Sequence, residues 1–127
     1  MLLAAAQFYK LDSQGIPAMA TGFCSGLSRT SGPCGAVTGA VMAIGLITGR
    51  KSSSQSVDSC YNRVQDFLDR FKAKHKFLNC TDLLECDLST DQGRRANARR
   101  FSNGENPVCQ GLTVSAAQIL QQVMESE

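Results

Sequence analysis

The sequence has 127 residues, of which 43% are hydrophobic, 19% charged and 6% aromatic. This length suits one domain, residues 1–127, and the apolar content excludes a disordered chain, which would have fewer apolar residues and more net charge. The net charge of +2 excludes a strong electrostatic field, so we expect no nucleic-acid partner.

The N-terminal segment predicts two short helices. Residues 2–11 are mostly apolar and suit an amphipathic helix, and Pro17 suits the first turn of a second helix through Ala20. No basic residue precedes the first apolar run, and Gln7 interrupts it, so it is a poor secretory signal. We therefore expect a cytoplasmic protein, in which thiols are more often catalytic, metal-binding or buried than disulfide-bonded.

The longest uncharged stretch lies between Arg29 and Arg50 and contains twenty residues. Its strongly apolar part, residues 37–47, would extend about 16 Å as a helix, which is too short for the hydrocarbon core of a bilayer. Glycines also interrupt the stretch. A buried helix is therefore the better interpretation, and we expect no membrane span.

Residues 22–35 are rich in glycine and predict a loop, and residues 34–49 predict a central helix. Small residues recur in this helix at Gly35, Gly39 and Ala43. Such a face lets another helix approach closely, either within the chain or from a second copy in a homodimer.

The remaining helices follow from apolar periodicity and helix-start signals. The strongest pattern spans residues 57–76, a short helix is expected over residues 79–84, and a last helix is expected over residues 113–124. The predicted apolar stripe of the long helix comprises Val57, Tyr61, Val64, Leu68 and Phe71, with Cys60 and Phe67 beside it. In the last helix the predicted buried residues are Ala116, Ala117, Leu120, Val123 and Met124.

No stretch alternates apolar and polar residues over the length of a strand, so the predicted fold is an all-α, multi-helix bundle around the central helix. The polar residues 89–106 contain an arginine cluster, which we interpret as a solvated helix face. His75, at a predicted helix end, is also expected to be solvated. No Ser-His-Asp arrangement or carboxylate pair is visible, so a hydrolase has little support.

The chain contains six cysteines, Cys24, Cys34, Cys60, Cys80, Cys86 and Cys109. They include no CxxC pair, and the chain has one histidine, which excludes zinc-finger, ferredoxin and thioredoxin spacings. Any site must therefore be assembled from different helices.

Three of these cysteines stand at or before predicted helix starts. Cys34 follows Gly32-Pro33, Cys80 follows Asn79, and Cys109 precedes the last helix. The unpaired N–H groups and the dipole at a helix start favour a thiolate, which is both a nucleophile and a metal ligand.

Residues 34–39, Cys-Gly-Ala-Val-Thr-Gly, fit a CGAxxG motif at every defined position. Together with the later cysteines, this motif resembles the C_GCAxxG_C_C family, small redox-active proteins of bacteria and archaea. The resemblance covers nearly the whole chain and implies a redox role without an established reaction. In it, Cys80 resembles the third family cysteine and Cys109 the fourth.

The chain departs from this family at the first cysteine, which precedes the N-terminal helix in other members. Met1 lies within the equivalent helix, so either the start is truncated or this member lacks that thiol. Cys24 is a possible replacement. The resemblance therefore supports a site of three cysteines more firmly than a site of four.

The leading hypothesis is that Cys34, Cys80 and Cys109 converge and exchange electrons with a redox partner protein or a disulfide. Cys34 would attack, and a second cysteine would resolve the intermediate. Arg29 could hold the thiolate by charge or simply brace the loop, with Gly35 and Gly39 supporting the helix.

Two alternatives use the same residues. In one, an iron–sulfur cluster or a soft metal is bound by Cys34, Cys80 and Cys109, with Cys24 as a further ligand. In the other, the protein is a helical interaction module whose thiols are buried and inert. Cys86 is left open between pairing with Cys80 and simple exposure, and Cys60 is expected to pack as a small apolar residue.

Overall fold

The computed structural model describes residues 1–126, and over that range it contains helices and two isolated antiparallel bridges but no strand. The predicted all-α class is therefore confirmed. In chain order the elements are α1 (Leu2–Phe8), α2 (Ile16–Ala20), a 3₁₀ turn (Thr21–Phe23), α3 (Cys24–Arg29), α4 (Gly35–Thr48), α5 (Asp58–His75), α6 (Cys80–Leu84), α7 (Asp91–Ala98) and α8 (Pro107–Glu125). Within the described range, every helix is too short or too polar to cross a bilayer.

The core lies between the three long helices α4, α5 and α8, which pack against one another, while α1 packs on α4. The largest fully buried side chains are Phe67 and Phe71 from α5, Ile44 from α4 and Val123 from α8. The two phenylalanine rings stack with their centroids 6.0 Å apart. Burial of these apolar groups away from water is the main stabilising contribution to the fold.

The buried face of α5 is rotated relative to the predicted stripe. Tyr61, placed within that stripe, is 58% exposed, whereas Phe67, placed beside it, is fully buried. α5 packs against both α4 and α8, so its buried arc faces the groove between those helices. Periodicity alone averages the apolar positions and cannot locate such a groove.

α8 begins at Pro107, six residues before the predicted start at Thr113. The Asn106 side chain caps the helix by accepting a hydrogen bond from the Val108 backbone N–H (3.1 Å), and proline follows directly in the first turn. Cys109 consequently lies in the first turn of α8, rather than in a preceding loop.

The buried face of α8 also differs from the predicted one. Ala117 is exposed, whereas Leu112 and Ile119 are buried together with the predicted Leu120. α1 is likewise shorter than predicted, since it ends at Phe8. The difference in α8 arises because the neighbouring helices, rather than local periodicity, decide which side of a helix is covered.

His75 does not project into solvent as predicted. Its Nε2 atom lies 2.7 Å from the Ser115 hydroxyl on α8, and its ring lies on Phe71 with centroids 4.5 Å apart. Partial burial, followed by the nearby charge of Lys74, lowers the pKa of His75. The packing of α8 against the end of α5 is responsible, and the sequence near His75 does not indicate it.

The predicted loop over residues 22–35 contains regular turns. Residues 25–28, within α3, have φ between +49° and +63°, so they form a turn of left-handed helix. Such a conformation costs about 1–2 kcal/mol per residue for residues other than glycine. It is retained here because the turn packs against α4 and α6.

Candidate functional site

Cys34 and Cys80 are held side by side by a backbone clamp. The Cys34 N–H donates to the Leu78 carbonyl (2.8 Å), and the Cys80 N–H donates to the Gly32 carbonyl (2.9 Å). Between these bonds, Pro33 and Asn79 form an isolated antiparallel bridge. Cys34 is the N-cap residue of α4 and Cys80 is the first residue of α6, so the clamp joins two helix starts.

The left-handed turn of α3 covers Cys80. A Cβ atom added to Gly26 would lie 2.6 Å from the Cys80 Cβ, and the φ of Gly26 is +63°. Its carbonyl accepts hydrogen bonds from the N–H groups of Thr30 (3.2 Å) and Gly32 (3.0 Å). Glycine is therefore required at this position both for its backbone conformation and for close contact with the thiol-bearing residue.

A polar network attaches the segment around Cys86 to the segments that carry Cys34 and Cys80. The Ser31 hydroxyl donates to the Asp87 carboxylate (2.9 Å) and accepts from the Thr81 hydroxyl (3.1 Å). Ser89 donates to the same carboxylate oxygen through its side chain (2.6 Å) and its backbone (2.9 Å). These hydrogen bonds, those of Ser89 first and that of Ser31 next, lower the pKa of Asp87.

Four thiols lie close enough to influence one another electrostatically. Burial, followed by the charges of Cys34, Cys109 and Cys86, raises the pKa of Cys80 to about 11. Burial and then the charge of Cys34 raise the pKa of Cys109, Arg100 lowers it, and Cys86 raises it. The charges of Cys34 and Cys86 thus act on both Cys80 and Cys109, while the segments joined by direct contacts are those of Cys34 and Cys80.

The four thiols differ in accessibility. Cys34 and Cys80 are 9% and 6% exposed, whereas Cys86 and Cys109 are half-buried. We refer to Cys34 and Cys80 as the inner pair and to Cys86 and Cys109 as the outer pair. A reagent from solvent therefore meets the outer pair first.

Cys86 is the member of this cluster that sequence reasoning left open. Its spacing from Cys80 is the one local signal, and that spacing fits many arrangements. The left-handed Glu85 at the end of α6 turns the chain, and the bond between Ser31 and Asp87 then anchors it. Neither feature is visible from the residues around Cys86.

The other candidate residues occupy different positions. Cys24 is exposed, and its thiol lies 3.7 Å from the Ala20 carbonyl oxygen. Arg29 is exposed at the end of α3. Gly35 faces the backbone of Cys24, and Gly39 faces the side chain of Met1. The small residues of α4 therefore accommodate α3 and the start of the chain.

Among residues 1–126, no group of three or more histidine, cysteine, aspartate or glutamate side chains is placed to hold a metal ion. The ligand set of Cys34, Cys80, Cys109 and Cys24 for a metal or iron–sulfur cluster thus stays a prediction, without support from this geometry. The arrangement supports chemistry of the thiols themselves.

Comparison with known proteins agrees with the sequence resemblance. The family described as "Putative redox-active protein (C_GCAxxG_C_C)" matches residues 1–123 of the chain. No curated protein and no solved structure shows a significant match. Because the family match covers nearly the whole chain, this protein belongs to the C_GCAxxG_C_C family.

Proposed function

We propose that this protein catalyses thiol–disulfide exchange through the cluster of Cys34, Cys80, Cys86 and Cys109. The observation that carries the proposal is the backbone clamp that holds the free thiol residues Cys34 and Cys80 side by side at two helix starts. A cluster of reduced thiols can take up oxidising equivalents from a substrate disulfide by forming an internal disulfide.

The reaction is a two-electron exchange. One cluster thiolate attacks a sulfur atom of a substrate disulfide, RSSR, so that a mixed disulfide forms and one RS⁻ leaves. A second cluster thiolate then attacks the protein-side sulfur of the mixed disulfide and releases the second RS⁻. Both released thiolates take up protons, so RSSR is reduced to two RSH while two protein thiols are oxidised.

The electrostatics of the cluster favour the oxidised product. Burial first, and then repulsion between neighbouring thiolates, raises the pKa of Cys80 to about 11. A disulfide contains no ionisable group, so its formation removes this repulsion. The thiols can be regenerated in a reducing compartment such as the cytoplasm, by a redox partner protein or by a small thiol.

The proposal is tested by stoichiometric reaction of the reduced protein with a small disulfide reagent under anaerobic conditions. The wild-type protein is expected to release two RSH per internal disulfide formed. Replacement of Cys34 by serine is expected to slow this exchange, and Cys80→Ser and Cys109→Ser are expected to leave a mixed disulfide in place. Cys60→Ser, which lies on α5 outside the cluster, is the matched control.

Two results would contradict the proposal. One is an unchanged rate and stoichiometry in Cys34→Ser, Cys80→Ser and Cys109→Ser. The other is near-stoichiometric iron, zinc or copper in anaerobically purified protein that is lost in Cys34→Ala, because the thiols would then serve as metal ligands.

A further inference from the structure

The left-handed turn of α3 forms a thin cover over the Cys80 thiol. Cys80 is 6% exposed, and a Cβ atom built on Gly26 would lie 3.5 Å from the Cys80 sulfur. Gly26 is also the one buried residue between Cys24 and Thr30, where all the other residues are exposed. The cover over Cys80 is therefore a single turn of chain whose other residues face solvent.

This turn is attached to the rest of the molecule at one end. We refer to residues 24–31 as the α3 lid. Among residues 1–126, Ser31 is the one lid residue that hydrogen-bonds to a distant segment, through the Asp87 carboxylate (2.9 Å) and the Thr81 hydroxyl (3.1 Å). The other hydrogen bonds of the lid stay within residues 20–32. Ser31 is thus a tether that holds the lid in place.

The closed lid has an unfavourable backbone conformation. Consecutive residues from Ser25 to Arg29 all have positive φ, and Gly26 is the one glycine among them. The left-handed conformation is disfavoured at each of the others, because the Cβ atom crowds the following carbonyl oxygen. An exposed segment with few buried apolar contacts also belongs to the parts of a protein that open locally, without global unfolding. Opening the lid would release the backbone cost and lose the tether.

We infer that the α3 lid opens locally and controls access to Cys80. In the closed state the Cys80 thiol is shielded, and in the open state it meets reagents from solvent. The outer pair is half-buried and lies outside the lid, so it stays accessible in both states. Admission of a disulfide substrate to Cys80 rests on the proposed function, and the exchange then follows the two steps given above.

The test is the alkylation of Cys80 by iodoacetamide in the reduced, folded protein, measured by peptide mass spectrometry at urea concentrations below the unfolding transition. The urea dependence of an opening reaction scales with the surface that it exposes, and a lid exposes far less than global unfolding. We therefore expect a shallow urea dependence and a rate at least about tenfold faster than global unfolding allows. A rate that follows global unfolding at every urea concentration would overturn the inference.

The tether is tested by Ser31→Ala, with Ser89→Ala as its matched control. Ser31→Ala removes hydrogen bonds from the closed state and should raise the Cys80 rate by about tenfold in the absence of urea. Ser89→Ala removes a side-chain bond to the same Asp87 carboxylate oxygen but keeps the bond from Ser31, so it should leave the rate unchanged. An equal rise in both variants, or no rise in either, would contradict the inference.

The backbone cost is tested by Ser25→Gly, with Lys10→Gly as its matched control. Both residues are exposed and have a φ of +55°, but Lys10 follows α1 and lies outside the lid. Ser25→Gly stabilises the closed lid and should lower the Cys80 rate by about threefold, whereas Lys10→Gly should leave it unchanged. Opposite effects of Ser25→Gly and Ser31→Ala exclude a general loss of folding as the cause. A faster Cys80 reaction in Ser25→Gly would count against the lid.

Alkylation requires no disulfide exchange, so the lid and the proposed function can fail separately. A protein that shows the expected Cys80 rates but does not react with disulfides would refute the proposed function and leave the lid standing. Disulfide exchange in a protein whose Cys80 rate is insensitive to Ser31→Ala and Ser25→Gly would refute the lid and leave the proposed function standing.

Discussion

The helical core and the thiol end of the molecule are held together by different forces. In the core, α4, α5 and α8 bury apolar side chains such as Phe67 and Ile44. At the thiol end, short elements are joined by backbone hydrogen bonds, by the Ser31–Asp87 network and by a left-handed turn. One region therefore supplies most of the stability, and the other fixes the positions of reactive groups.

The largest expected effect is a core substitution that leaves the thiol end intact. Phe67→Ala removes a fully buried ring and should lower the free energy of unfolding by about 3–5 kcal/mol, because a cavity remains. Tyr61→Ala, on the same helix but 58% exposed, should cost less than about 0.5 kcal/mol. Urea unfolding measures both values, and similar losses would show that α5 does not bury the face described above.

A smaller effect is expected from Gly26, with Gly15 as its matched control. Both have positive φ, but a Cβ at Gly15 meets nothing within 4 Å, whereas one at Gly26 lies 2.6 Å from the Cys80 Cβ. Gly26→Ala should therefore cost about 2 kcal/mol more than Gly15→Ala in urea unfolding. It should also displace Cys80 and raise its alkylation rate. Equal losses of stability and unchanged reactivity would contradict the contact between α3 and Cys80.

The smallest effect concerns His75, where the core meets solvent. Burial lowers its pKa in the folded protein, so folding favours the neutral ring. The stabilising contribution of the neutral His75 ring is fully present above about pH 6.5, which is the pKa in the unfolded chain. It is lost as the pH falls through the lower pKa of the folded protein. The free energy of unfolding should therefore decline as the pH falls below about 6.5, and His75→Gln should flatten that decline. An identical slope in the variant would assign the decline to other groups.

Much of the fold could be predicted from local sequence. The helix over residues 34–49 and the short helix after Asn79 correspond to α4 and α6, because a helix-start signal and an apolar face are local properties. The CGAxxG motif likewise placed the chain in its family, which the match over residues 1–123 confirms. The start of α8 also has a local helix-start signal, which is the capping Asn106 followed by Pro107. The polar residues before it made that signal hard to recognise.

The candidate site could be predicted only in part. Three cysteines at helix starts were recognisable, since that position has a local signature. The placement of Cys86 was not recognisable, because it depends on a contact with another segment: Ser31 bonds to Asp87, the residue after Cys86.

The sequence by itself therefore determined the all-α class, the family and the helices α4 and α6, since each depends on residues close together in the chain. Tertiary structure alone decided which thiols are accessible, how α3 covers Cys80 and where His75 lies. The physical reason is that burial and pairing are set by segments distant in sequence. The clamp between Pro33 and Asn79 shows this directly, because neither segment encodes its partner.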